Sequence, residues 1–135
     1  GNRGLNTNYY ESYPATYDCD NIIAVANSQQ YEDLNPSSNY GTIHIDLCAP
    51  GTGIYSTLLN NSYGYASGTS MAAPYVAGAA ALLKSYNEDL TADDLKFIIL
   101  DTVDKISPLV GRVLSDGRLN LLKAMIKADP NNFAH

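Results

Sequence analysis

Residues 67–83, SGTSMAAPYVAGAAALL, constrain this chain more than any other stretch. A serine stands among small residues and runs directly into an alanine-rich apolar segment. From Ser70 to residue 85, side chains are small or apolar on nearly every face, and a helix apolar all round belongs in an interior. Two roles for Ser70 follow. Any Gly-Thr-Ser ahead of a helix can serve as its N-cap. Alternatively, Ser70 is a nucleophile: Gly64 and Gly68 permit a tight approach, and a helix starting at Ser70 would set free N–H groups and a positive dipole end beside the reacting oxygen. A serine hydroxyl attacks poorly unless a base takes its proton and donors wait for the oxyanion, so this second role needs partners elsewhere.

Ahead of this segment, residues 1–21 are rich in Gly, Asn, Tyr and Ser without periodicity, and predict a surface loop able to hold a ligand. Asn21 to Ala26 is a nearly continuous apolar run, the pattern of a parallel strand buried on both faces. A polar loop over 27–41 leads to Ile43, Ile45 and Leu47 alternating with His44 and Asp46, a strand that stops at Ala49-Pro50-Gly51. Ile54 to Leu59 predicts a further short strand before an Asn60-Asn61 turn. After the alanine-rich segment, Thr91 to Asp94 resembles a capping box with Asp in place of Glu. Leu95, Ile98, Ile99 and Thr102 then follow at the spacing of an amphipathic surface helix. Gly117 precedes a last helix over Leu119 to Lys127, with Leu119, Leu122 and Ile126 on one stripe, before Pro130. Strands first and helices after indicate part of a layered α/β fold.

At 135 residues the chain suits one domain or a part of a larger one. With 45% hydrophobic and 16% charged residues it is an ordinary globular chain. A net charge of −6, with eight scattered Lys and Arg residues, argues against nucleic-acid binding. The longest apolar run, Val76 to Leu83, is too short to span a membrane, and no targeting signal can be read in the residues that follow Gly1. Cys19 and Cys48 lack metal-ligand spacing and read as two buried free thiols rather than a disulfide.

The stretch GTSMAAPYVAGAAALL resembles the nucleophile segment of the subtilisin-like proteases (subtilases), G-T-S-M-A-x-P-H-V-A-G-x-x-A-L-L, at fifteen of sixteen positions. The likeness continues, in order along the chain, through GNRG at 1–4, IIAVA at 22–26, LCAPG at 47–51 and DGRLNLLKA at 116–124. It implies the C-terminal portion of a subtilisin-like three-layer fold, with a mostly parallel sheet, a buried nucleophile helix and two further C-terminal helices. It further implies that Ser70 is the nucleophile and that Asn2, with the Ser70 N–H, forms the oxyanion hole. Thr69 supports the hole through its hydroxyl or simply fixes the turn as a β-branched residue. Arg3, Gly4, Ser12, Tyr13, Pro14 and Ala15 fall where the family builds its substrate pocket. Arg3 either favours acidic or polar substrate side chains, pairs with Glu11, or faces solvent. Met71 after the nucleophile would be an oxidation liability. Tyr75 replaces the family's His, a residue that is not the general base, and is expected to alter packing behind the helix. Asp46 falls near a weak cation site of some subtilases, but His44 replaces an oxygen ligand there, so no metal is assigned to this chain. No cofactor is required, although structural calcium in the parent is compatible with the resemblance.

A subtilase triad runs Asp, His, Ser along the chain. Here the only histidines, His44 and His135, lie where the family does not keep its base. The expectation is that residues 1–135 are the C-terminal part of a catalytic domain whose Asp and His lie in a missing N-terminal part. Cutting such a sheet would leave an edge that pairs with the missing part or with itself. The isolated chain is expected to be inactive, because triad members act as a unit. The parent is expected to be a serine endopeptidase acting on peptide or protein substrates. The alternative is a pseudoprotease or peptide-binding module that keeps the fold without a complete triad. Family analogy favours a secreted or cell-surface setting, where Asn60-Asn61-Ser62 would be a glycosylation sequon in a eukaryote. Thiols without an evident partner argue the other way.

Overall fold

The computed structural model describes residues 1–131. A four-stranded sheet holds β1 (Val25–Ser28), β2 (Leu47–Pro50), β5 (Asp104–Lys105) and β6 (Gly117–Arg118) in the order β1-β2-β6-β5. β1 and β2 pair in parallel from Val25↔Leu47 to Ser28↔Pro50, β6 continues in parallel beside Cys48, and β5 closes the sheet antiparallel to β6. β1 therefore forms one edge. A separate antiparallel hairpin joins β3 (Ile54–Leu58) to β4 (Ser62–Ala66), with Asn60 and Asn61 in left-handed conformations that Asn tolerates better than most residues. Among the described residues three α-helices accompany the sheets: α1 (Thr69–Tyr86), α2 (Ala92–Asp101) and α3 (Leu121–Lys127).

Alternation along the strands separates two cores. Leu47 and Ala49 of β2 point toward the helices and pack with Ala72, Val76 and Leu83 of α1, Ile98 and Ile99 of α2, and Ala124 of α3. Ala24, Ala26 and Cys48 point the other way, where Ile45, Leu109 and Val113 cover them from loops and a short 3₁₀ turn. The sheet is thus sandwiched between a helical layer and an irregular one.

Several local expectations shift. The strand expected over 21–26 joins the ladder only at Val25, because the Ala24 N–H donates to the Asp46 carboxylate at 2.7 Å rather than to a neighbouring strand. The alternation at Ile43, Ile45 and Leu47 does not mark a strand before Leu47. Ile43 is exposed, and the carbonyls of Ile45 and Asp46 accept from Leu114 and Ser115 instead. The box at Thr91 forms, with the Thr91 hydroxyl accepting from the Asp94 N–H and the Asp94 carboxylate accepting from the Thr91 N–H. On α3 the apolar stripe is displaced: Leu122 and Ile126 face solvent, while Ala124 is buried and Met125 packs on the core. Asn120 is the cap, so Leu119 precedes the helix and periodicity counted from it is out of phase. Burial along α1 follows one stripe, Ala72, Val76, Ala79 and Leu83, and leaves Tyr75, Leu82 and Tyr86 partly open. Of the two thiols only Cys48 is buried; Cys19 is exposed.

Candidate functional site

Helix α1 starts one residue earlier than the serine suggests. Gly68 is its cap residue and Ser70 the second helical position, so Ser70 is not the N-cap. Gly68 adopts φ 152°, a region that L side chains rarely enter. Its N–H donates to the Gly51 carbonyl at 2.7 Å, and a Cβ on Gly51 would stand 2.7 Å from the Gly68 carbonyl oxygen. Two glycines thus let the end of β2 and the start of α1 meet backbone to backbone. Ser70 is exposed while Gly68 and Thr69 are buried beneath it. Its N–H is one of the first-turn donors that a helix leaves without an intrahelical partner.

Across 67 residues of sequence, the Asn2 side chain reaches this helix start. Asn2 Oδ1 accepts from the Thr69 N–H at 2.9 Å. Because the oxygen is committed there, the Nδ2 donor is the part of the amide left to face a developing charge. Asn2, Thr69 and Ser70 therefore come together, and Thr69 meets Asn2 through its backbone rather than its hydroxyl. None of the six pocket candidates lines the cleft that contains Ser70. Arg3 and Tyr13 line a separate cleft of about 610 Å³ with Glu11 and His44; Gly4, Ser12, Pro14 and Ala15 do not line it. Arg3 is exposed and forms no pair with Glu11, whose carboxylate accepts instead from the Tyr13 hydroxyl at 2.7 Å. That bond also raises the Tyr13 pKa above its ordinary value. Ala15 borders a third depression together with Asp46.

The cleft that does contain Ser70, of about 390 Å³, has a different lining. Met71, Pro74 and Tyr75 supply its helical wall, and β3 and β4 supply the other, with Tyr55, Thr57 and Leu58. Tyr75 is thus exposed and lines the cleft beside Ser70 rather than packing behind the helix. The hairpin was not recognisable as part of the site. Its one advance signal is the alternation of Tyr63, Gly64 and Tyr65 around a turn, and Tyr55, Tyr63 and Tyr65 do form a ring cluster with centroids 5.0 and 6.0 Å apart.

No histidine among the described residues touches this cleft: His44 lines the other two depressions, and His135 lies outside the described residues. Around Asp46, the Lys96 ammonium approaches the carboxylate at 3.6 Å and donates to the Ile22 carbonyl at 2.6 Å. Burial raises the Asp46 pKa, against the lowering effects of the Ala24 N–H and Lys96. Among the described residues, no three His, Cys, Asp or Glu side chains converge on a point fit for a metal ion.

Comparison with known proteins gives a consistent result. The profile described as the Subtilase family matches residues 1–123. A thermophilic serine proteinase of Bacillus sp. (strain AK1) is 44% identical over 125 residues, which is 93% of this chain and 29% of that protein. Thermitase of Thermoactinomyces vulgaris is 42% identical over the same length, 93% of this chain and 42% of its own. Among solved structures, one titled as proteases from Pseudoalteromonas arctica superposes with a TM-score of 0.81 at 32% identity, covering 96% of this chain and 41% of its counterpart. The chain therefore spans less than half the length of these relatives.

Proposed function

The chain belongs to the subtilase family, and from that premise we propose that its parent is a serine endopeptidase that hydrolyses peptide bonds through an acyl-enzyme on Ser70. The observation that carries this is the Asn2 side chain held against the start of the helix that bears Ser70. In the proposed step, Ser70 Oγ attacks the scissile carbonyl while a base takes its proton. The resulting oxyanion lies between Asn2 Nδ2 and the Ser70 N–H; on collapse the base returns its proton to the departing amine, leaving the ester, which water then hydrolyses. The N-terminal end of α1 adds favourable potential for the negative charge. Asp and His of the triad are proposed to come from another part of the parent. The apolar residues Leu82 and Tyr86 left open on α1, and the edge at β1, are surfaces such a part would cover. Residues 1–135 alone are accordingly proposed to hydrolyse peptides at background rate and to self-associate at high concentration, the latter checked by sedimentation.

The test is peptide hydrolysis by the full-length parent. Ser70→Ala should abolish turnover. Asn2→Ala should lower kcat about 10²- to 10³-fold, a magnitude that comes from a subtilisin itself. Retention of peptidase activity in Ser70→Ala would contradict the proposal, and a parent that binds peptides without cleaving them would favour the binding-module alternative.

A further inference from the structure

We infer that Asn39 is a positioning residue for the Asn2 amide, an inference that rests on the function proposed above. Asn39 is only 2% exposed, although it lies in a polar loop. Its Oδ1 accepts from two backbone N–H groups, Arg3 at 3.1 Å and Leu5 at 3.2 Å, and its own N–H donates to the Gly1 carbonyl at 2.8 Å. These three bonds grip the backbone on both sides of Asn2. Behind Asn39, the Ser38 hydroxyl donates to the Asn39 carbonyl at 3.0 Å and accepts from the Asn27 N–H at 2.9 Å, which ties the grip to β1. Gly1 is part of the fit, since a Cβ there would run into the Asn39 amide.

The need for such a clamp follows from the exposure of Asn2. Its side chain has a fixed partner at one atom, Oδ1, while Nδ2 must meet a charge that exists only in the transition state. A drift of about 1 Å in the 1–5 loop would turn that donor away, and misplacements of this size cost roughly 10²-fold in rate. Asn39 Nδ2 has no hydrogen-bond partner among the described residues, so the acceptor oxygen is the half of the amide that holds the loop.

The experiment uses the full-length parent and four variants: Asn39→Ala, Asn39→Asp, Asn2→Ala and the Asn39→Ala/Asn2→Ala double variant, with Ser70→Ala as the check on the underlying function. Asn39→Ala should lower kcat by about tenfold or more with KM within about twofold, the pattern of an interaction used in the transition state. The double variant should be no slower than Asn2→Ala alone, because Asn39 acts through Asn2. Asn39→Asp keeps the acceptor oxygens and should recover most of kcat. Should Asn39→Ala fail to fold, Ser38→Ala carries the same cycle, with a smaller fall in kcat that again vanishes in the Asn2→Ala background. Unchanged kcat in a folded Asn39→Ala or Ser38→Ala enzyme, losses that multiply in the double variant, or a folded Asn39→Asp as slow as Asn39→Ala would each overturn the inference. Loss of turnover in Ser70→Ala with any of those results sinks the role of Asn39 alone, whereas an active Ser70→Ala sinks the proposed function.

Discussion

Behind Ser70 the chain is tied down by contacts between distant segments: Gly51 against Gly68, Asn2 against Thr69, and Asn39 around Asn2. In front of it the β3–β4 hairpin stands away from both cores, with Tyr55, Tyr63 and Tyr65 more than half exposed. Under the proposed function the two walls are asked to do different things. Donors for an oxyanion must sit within a fraction of an ångström, and backbone groups fixed by buried partners supply that precision. A wall that meets varied side chains gains nothing from such rigidity, and exposed aromatic rings offer contact area at low entropy cost.

This contrast can be broken experimentally. The largest effect belongs to the layer beneath the back wall. Leu83 is fully buried between α1 and the sheet, and Leu83→Ala in the parent should cost about 2–5 kcal/mol in denaturant unfolding. Next comes Gly68→Ala, which forces a side chain into φ 152° and should cost roughly 1–3 kcal/mol while also lowering kcat. On the front wall, Tyr63→Ala should leave stability within about 0.5 kcal/mol, and Tyr55→Ala should change KM more than kcat. A hairpin variant as destabilising as Leu83→Ala would dissolve the distinction between the walls.

Two smaller effects sharpen it. At the far end of the tied layer, Lys123 and Asn120 hydrogen-bond the Asp104 carboxylate and hold its pKa below the usual carboxylate range. A carboxylate depressed in this way stabilises the fold above its unfolded pKa and loses that contribution as pH falls through the folded value. Asp104→Asn should therefore cost under about 1 kcal/mol at neutral pH, the pair being open to solvent, and the gap from the native protein should close on acidification. Smallest is a labelling contrast. Burial pushes the Cys48 thiol up to about 12, so a thiol reagent at neutral pH should modify only Cys19 until the protein is denatured.

How much of this was legible in the sequence depended on the range of the interaction. The capping box at Thr91 needs three residues and was readable, as were the turn at Asn60-Asn61 and, to within one residue, the helix expected from Ser70. Positions set by longer-range partners were not. The first strand begins at Val25 because a carboxylate twenty-two residues away takes the Ala24 N–H, and periodicity cannot carry that. Likewise the phase of α3 depended on which residue became its cap. Within the site, the segment bearing Ser70 was plain, and the pocket candidates rested on the family resemblance rather than on any pattern in the residues themselves. Arg3 and Tyr13 line one cleft, and Tyr55 and Tyr75 line the one that contains Ser70. Asn39 gave no signal at all, since an asparagine in a polar loop looks the same whether it faces solvent or a buried turn.

Residues 1–135 are proposed to hold a serine and its oxyanion donors in place while the rest of the parent supplies the proton acceptor. A fluorophosphonate probe, which reacts with an activated serine, tests it most directly. The account predicts rapid modification of Ser70 in the full-length parent, loss of that labelling in Ser70→Ala, and no labelling of residues 1–135 alone above the rate with denatured protein. Rapid labelling of Ser70 in residues 1–135 alone would contradict it.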